Sequence, residues 1–263
     1  MVATAAKPAP SSVRESMSEE EWQTRVDLAA LYRVVAKHGM TDLGGTHLSA
    51  RVPGPEHHFL LNPFGLLFEE VTASNLVKVD MDGNIVGESD YPVNAAGFTI
   101  HSAVHMARPE IRCVAHTHTI AGIAVSCLQE GLLPITQHSM RFYKRVAYHD
   151  WEGIATNLDE RERLVRDLGQ HKAMILRNHG LLACGESVAE AWRILYYLEK
   201  SCASQLEAMA AAHARGRKLV YPSEEVCEYT ASMMEKRSPT EHGTRDWPAQ
   251  LRLLDKEQPD YKH

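Results

Sequence analysis

The sequence has 263 residues, a formal net charge of -6, 44% hydrophobic residues and 24% charged ones. That balance suits a globular fold with ample surface to bury, and the acidic excess speaks against a nucleic-acid or anionic-membrane partner. No apolar stretch is long enough to span a bilayer or to serve as a signal-peptide core, so a cytoplasmic location without membrane contact is expected.

Residues 1–18, rich in Ala, Pro and Ser, read as a disordered leader. Ser18-Glu19-Glu20-Glu21 predicts a helix start with an N-cap serine and a capping-box glutamate. That helix runs to His38 and is stopped by Gly39. After a Gly44-Gly45 turn, Leu48–Val52 and His58–Asn62 read as strands. Leu76–Asp80 is another, turned by Asp82-Gly83 into Asn84–Val86. Thr99–Ala107 has helical spacing and Pro109 punctuates its end. The apolar strand Ile111–Ala115 leads into His116-Thr117-His118. A helix over Thr119–Gln129, a turn at Pro134, a strand around Tyr148 and a helix over Asp159–Gly169 follow. Ala173–Leu176 and Leu181–Ala183 read as strands flanking His179, and Ser187–Ala212 as a long helix. Its apolar face around Trp192, Leu195 and Tyr196 can contact another subunit or pack on its own sheet. Residues 216–263 read as a tail that packs on the domain of residues 19–215 or on a neighbouring subunit, through Trp247, Leu251 and Leu254. Strands interleaved with helices indicate one α/β domain with a central sheet covered on both sides. The five cysteines are widely spaced among apolar neighbours, which predicts reduced, mostly buried thiols.

On a strand, residues i and i+2 point to the same face. His116 and His118 therefore leave the strand side by side and can offer two nitrogens to one ion. His179, also just past an apolar strand, is the third candidate. Three histidines with an open position make a catalytic rather than a structural metal site. Neutral imidazoles suit zinc first, and also iron(II), cobalt(II) or manganese(II). His101 and His105, one turn apart, read as a helix-surface pair, with a second metal site as the alternative. His138 is either an exposed loop residue or a proton carrier near neutral pH.

The motifs His116-Thr117-His118, Asn178-His179-Gly180-Leu181 and Gly45-Thr46-His47-Leu48-Ser49 occur together with Asn62-Pro63-Phe64-Gly65, Val71-Thr72 and Val79-Asp80. In this order they resemble the class II aldolase/adducin family from about Trp22 to Glu207. The resemblance implies a three-layer α/β/α fold with a nine-stranded, mainly antiparallel sheet. It also implies a homotetramer with sites between subunits, and a divalent metal on His116, His118 and His179. Around it, Thr46, His47, Phe64, Gly65 and Gly97 would contact the substrate. In the family's aldolases zinc polarises a ketose carbonyl and stabilises the enediolate.

The departures shape the functional expectation. The family's catalytic glutamate segment, Ser-Ser-Glu, falls on Ala95-Ala96-Gly97, and its phosphate-binding asparagine falls on His47. Asn94-Ala95-Ala96-Gly97-Phe98 with His101 is more similar to the adducin branch, whose cytoskeletal head domains have no known aldolase activity. His138 falls near a tyrosine that reaches the neighbouring subunit's site, and His101 matches a family histidine that would support the site from behind. Three readings stay open. One is a metal-dependent lyase on a small unphosphorylated hydroxy-carbonyl compound, working through an enolate. The second is a non-heme iron oxygenase on the same fold. The third is a non-catalytic binding module like the adducin head.

Overall fold

Ser18 caps the first helix, α1 (Glu19–Lys37). Its side chain accepts from the Glu21 amide at 3.1 Å and three glutamates occupy the first turn, where the helix dipole favours negative charge. The reciprocal half of the capping box is not made. The Glu21 carboxylate turns inward instead, to Arg25 at 3.2 Å and Lys78 at 2.9 Å. Gly39, at φ +67°, follows the end of the helix. The computed structural model describes residues 14–15, 17–54, 56–154, 158–236 and 245–263. The leader expectation falls mainly on residues 1–13 and 16, outside the described residues.

The strands are β1 (His47–Arg51), β2 (Phe59–Leu61), β3 (Val77–Val79), β4 (Cys113–Thr117), β5 (Val146–His149), β6 (Ala173–Leu176) and β7 (Gly180–Gly185). The further helices are α2 (Ala95–Ala107), α3 (Ile120–Ser126), α4 (Glu160–Leu168), α5 (Val188–Ala214), α6 (Glu224–Glu235) and α7 (Asp246–Glu257). The sheet runs β3-β2-β1-β4-β7-β6-β5. All neighbours are antiparallel except β5 and β6. The described residues form seven strands, where the resemblance implied nine. The expected return strand at Asn84–Val86 shrinks to one bridge, Val79 to Ile85. Asp80 gathers the Asp82 and Asn84 amides into a tight loop, and Ile85 stays 40% exposed. Little burial therefore rewards a longer ladder.

Period two sorts the central strands between the layers. Cys113 and Ala115 of β4, with Leu181 and Ala183 of β7, share a core with Leu28, Leu31, Leu195 and Leu198 of α1 and α5. Val114, Leu182 and Cys184 pack on the other side against α2 and α4. His116 has the parity of Val114, so it emerges on the α2 face.

Helix α2 starts earlier than the expected Thr99, because Asn94 caps it by accepting from the Ala96 and Gly97 amides. Helices α6 and α7 were not expected from the sequence. Helix α7 and the chain after it dock on α1: Trp247 and Leu254 of α7 and Tyr261 beyond it enter its core, and Arg33 grips Gln258 at 3.1 Å and Asp260 at 2.8 Å. The α5 face at Trp192 and Leu195 is core, at 3% and 0% exposure. Of the five free cysteines, Cys127 alone is exposed. Among the described residues no helix is long and apolar enough to cross a membrane.

Candidate metal centre

Strand β4 places His116 in the buried sheet and delivers His118 just past its end. The Nε2 atoms of the two rings face each other at 2.8 Å. His116 Nδ1 lies 2.9 Å from the Leu181 carbonyl, which can only accept, so Nδ1 carries the hydrogen. His118 Nδ1 lies 3.0 Å from Asp42 Oδ2, and the ionised carboxylate fixes its hydrogen in the same way. In the neutral rings both Nε2 atoms are then lone pairs aimed at each other. His179 reaches them from the turn between β6 and β7. Asn178 there has φ +57°, and a Cβ on Gly180 would strike the Thr117 carbonyl. One ligand atom from each of His116, His118 and His179 falls within 4.8 Å of the others.

These donors fit a divalent cation. Two lone pairs at this distance repel unless a positive charge lies between them. On His116 and His179 a proton is a poor candidate for that charge. Burial, then the neighbouring imidazoles His179 and His47, holds His116 well below the usual histidine range. Burial with His118 and His149 nearby brings His179 down to about 4. The carbonyl and carboxylate behind the rings are the kind of oxygen partners that orient metal-ligating histidines.

A buried polar chain adjoins the triad. His47 pairs across the sheet with His116, and the two rings stack with centroids 5.3 Å apart. His47 Nδ1 lies 3.2 Å from His101 Nε2, His101 Nδ1 2.6 Å from Ser49 Oγ, and Ser49 Oγ 2.8 Å from His105 Nε2. Burial drives His101 and His105 down to about 3 and His47 well below its usual value. This corrects the helix-surface expectation for the pair: both rings face the sheet, at 0% and 1% exposure, because Ser49 bridges them from β1.

Gly97 lies against this chain. A Cβ there would come 2.5 Å from His47 Cδ2 and 2.7 Å from Cγ. The imidazole of His47 therefore fills the space that a side chain at position 97 would enter. Thr46 is fully buried and its hydroxyl has no hydrogen-bond partner among the described residues. Phe64 and Gly65 sit in an exposed loop, with the Phe64 amide bonded to the Pro92 carbonyl. His138 belongs to another ring cluster within this chain. It packs at a tilt against Tyr197 of α5 with centroids 4.8 Å apart, and burial, then Arg141, lowers its pKa.

Sequence reasoning named Ser49 only within a motif, without a role, and missed Asp42, Trp151 and His149. Trp151 packs edge-on against His179 with centroids 5.1 Å apart. The only local signals were a lone aspartate before the Gly44-Gly45 turn and the polar run His149-Asp150-Trp151-Glu152 after a strand.

The sequence model described as Class II Aldolase and Adducin N-terminal domain matches residues 26–206. A crystal structure of an aldolase II superfamily protein from Pseudomonas syringae is similar at TM-score 0.90 and 51% identity, over 96% of this chain and 100% of that one. L-fuculose 1-phosphate aldolase from Glaciozyma antarctica is similar at TM-score 0.80 and 32% identity, over 98% of this chain and 97% of that one. Alpha-adducin of Rattus norvegicus is 46% identical over 191 residues, which are 72% of this chain and 26% of the adducin.

Proposed function

Because the chain belongs to the class II aldolase and adducin family, we propose that it is a divalent-metal-dependent lyase acting on a small, unphosphorylated hydroxy-carbonyl compound. The observation that carries this reading is the pair of facing Nε2 atoms on His116 and His118, 2.8 Å apart, each with its Nδ1 committed to an oxygen. A cation held there, with His179 as third ligand, supplies a Lewis acid for a carbonyl oxygen. Neutral imidazoles on all three ligands suit zinc.

The chain's own residues set the substrate. Position 97 offers no carboxylate and no room for one, and no hydroxyls stand at Ala95 and Ala96 to hold a phosphate. His47, neutral and buried, presents its ring where those groups would act. Thr46, His47 and Gly97 line the substrate side, with Phe64 and Gly65 on the outer loop. His138 would carry the proton for the site of a neighbouring copy in a homotetramer.

Elemental analysis of purified protein and of His118→Ala tests the reading. Near-stoichiometric zinc in the first and its loss from a still-folded variant are the expected results. Metal retained near stoichiometry in His118→Ala would refute the ligand assignment. In an aldol-cleavage assay, unphosphorylated hydroxy-carbonyl compounds should be cleaved faster than L-fuculose 1-phosphate; ordinary enzyme rates on the phosphate overturn the substrate class. Iron in place of zinc, with oxygen consumption, would move the reading to an oxygenase. The likeness to alpha-adducin and the carboxylate-free Gly97 favour one second reading, a non-catalytic binding module, and protein that binds no divalent metal would select it.

A further inference from the structure

A histidine that ligates a metal needs an acceptor for its remaining N–H, because that bond fixes the ring and raises its basicity. His116 has the Leu181 carbonyl and His118 has Asp42. His179 makes ring contacts to His116, His118 and Trp151, but neither of its nitrogens has a hydrogen-bond partner among the described residues. Beside it lies a cavity of about 10 Å³, lined by His149, Glu160, Trp151, Leu176 and Glu152 as well as His179. That is about the room one water molecule takes.

The far wall of this cavity carries unspent hydrogen-bonding capacity. His149 ends β5 and is 3% exposed. Its Nδ1–H donates to Asp167 Oδ2 at 2.8 Å, which in the neutral ring leaves Nε2 as a lone pair. That Nε2 is buried without a hydrogen bond among the described residues, although Glu160 Oε1 stands 3.4 Å away. Glu160 is itself buried, at 7% exposure. Leaving such groups unpaired is costly.

We propose that one ordered water occupies this cavity and supplies the missing support of the third metal ligand, so that Asp167, His149, the water and His179 form one chain behind the metal centre. Donors and acceptors balance. The water receives the His179 N–H, gives one hydrogen to His149 Nε2 and gives the other to the Glu160 carboxylate. His149, Asp167 and Glu160 are then positioning residues that act on the metal through His179. This rests on the metal reading above.

The test is zinc affinity, measured by chelator competition on the full-length protein, on His118→Ala, and on the isosteric variants Asp167→Asn and Glu160→Gln. In Asp167→Asn the side-chain amide donates to His149 Nδ1, which moves the ring hydrogen to Nε2 and removes the acceptor. Zinc binding should weaken about 10–100-fold while the melting temperature stays near that of the unaltered protein. The absorption bands of the cobalt(II)-loaded variant should also shift. A merely structural ion pair would lower the melting temperature and leave affinity and spectrum unmoved. Wild-type affinity in both isosteric variants, with His118→Ala stripped of zinc, overturns this proposal alone. Unaltered protein that binds no zinc overturns it together with the metal reading.

Discussion

A Cβ on Gly97 would lie 2.5 Å from His47 Cδ2, so these two positions share one volume. Gly97→Glu should therefore fail to restore an acid/base carboxylate. Overpacking of this kind costs about 1–3 kcal/mol, seen as a lower melting temperature. Pairing it with His47→Asn should recover most of the loss. A single variant as stable as the unaltered protein would show that the ring yields. Asp27 on α1 gives a second test at this scale. Burial raises its pKa from 3.8 to about 6, against a lowering hydrogen bond from Gln23. The fold thus prefers the protonated acid. Its stabilisation is complete below about pH 4 and is lost as pH rises through 6. Asp27→Asn keeps the acceptor for Gln23 and should flatten that pH dependence, gaining on the order of 1–2 kcal/mol at pH 7 after allowance for partial exposure. Denaturant titrations at pH 4 and pH 7 that change equally in both proteins would contradict it. The pairing of His116 and His118 was legible in the residues because strand parity is local: the two must share a side. Asp42 and His149 were not, since Asp42 lies 76 positions from its partner His118 and His149 meets His179 only across the folded sheet.

The turn between β6 and β7 works because its backbone comes unusually close to β4. Gly180 pairs with Leu176 in the ladder, and a Cβ there would strike the Thr117 carbonyl, with His118 Cδ2 at 3.2 Å. A backbone oxygen cannot swing aside as a side chain can. Gly180→Ala should thus separate β7 from β4, lower stability by about 1–3 kcal/mol and weaken zinc binding, because His179 and His118 move apart. Calorimetry and metal titration check both; zinc affinity unchanged in that variant would uncouple the turn from the site. The elements that sequence reading placed well are those with strong local signals, such as Ser18 at the start of α1. Asn94 was missed as a cap, which is why α2 was expected to start at Thr99. Helices α6 and α7 were missed because charged and apolar residues alternate there, and among the described residues after α6 three side chains, Trp247, Leu254 and Tyr261, are buried in the main core.

For the whole molecule, the α5 face once open as a subunit contact turns inward, with Trp192 and Leu195 buried against the sheet. Large apolar side chains remain exposed elsewhere: Leu43 at 77% and Ile120 at 88%, next to Asp42 and Thr119, and Val226, Tyr229 and Met233 at 49%, 67% and 43% along one stripe of α6. Scattered exposure is ordinary, but clustered exposure marks contact surfaces. We expect light scattering at micromolar concentration to give roughly four times the 29.4 kDa chain mass, the closed symmetry common among oligomers of one chain. Ile120→Asp should lower that mass without unfolding the protomer. A monomer mass for the unaltered protein would end the tetramer expectation.

Local pattern alone determined the layered α/β class, the paired imidazoles at the end of β4 and the third histidine in a tight turn. Each rests on a period or a turn signal carried within a few residues. Tertiary structure decided what surrounds them. It set Asp42 behind His118 and the Leu181 carbonyl behind His116, folded His101 and His105 inward onto Ser49, and filled the space at Gly97 with His47. These are contacts between residues far apart in the chain, fixed by which strands pair and which helix covers which face, and no short-range pattern encodes them.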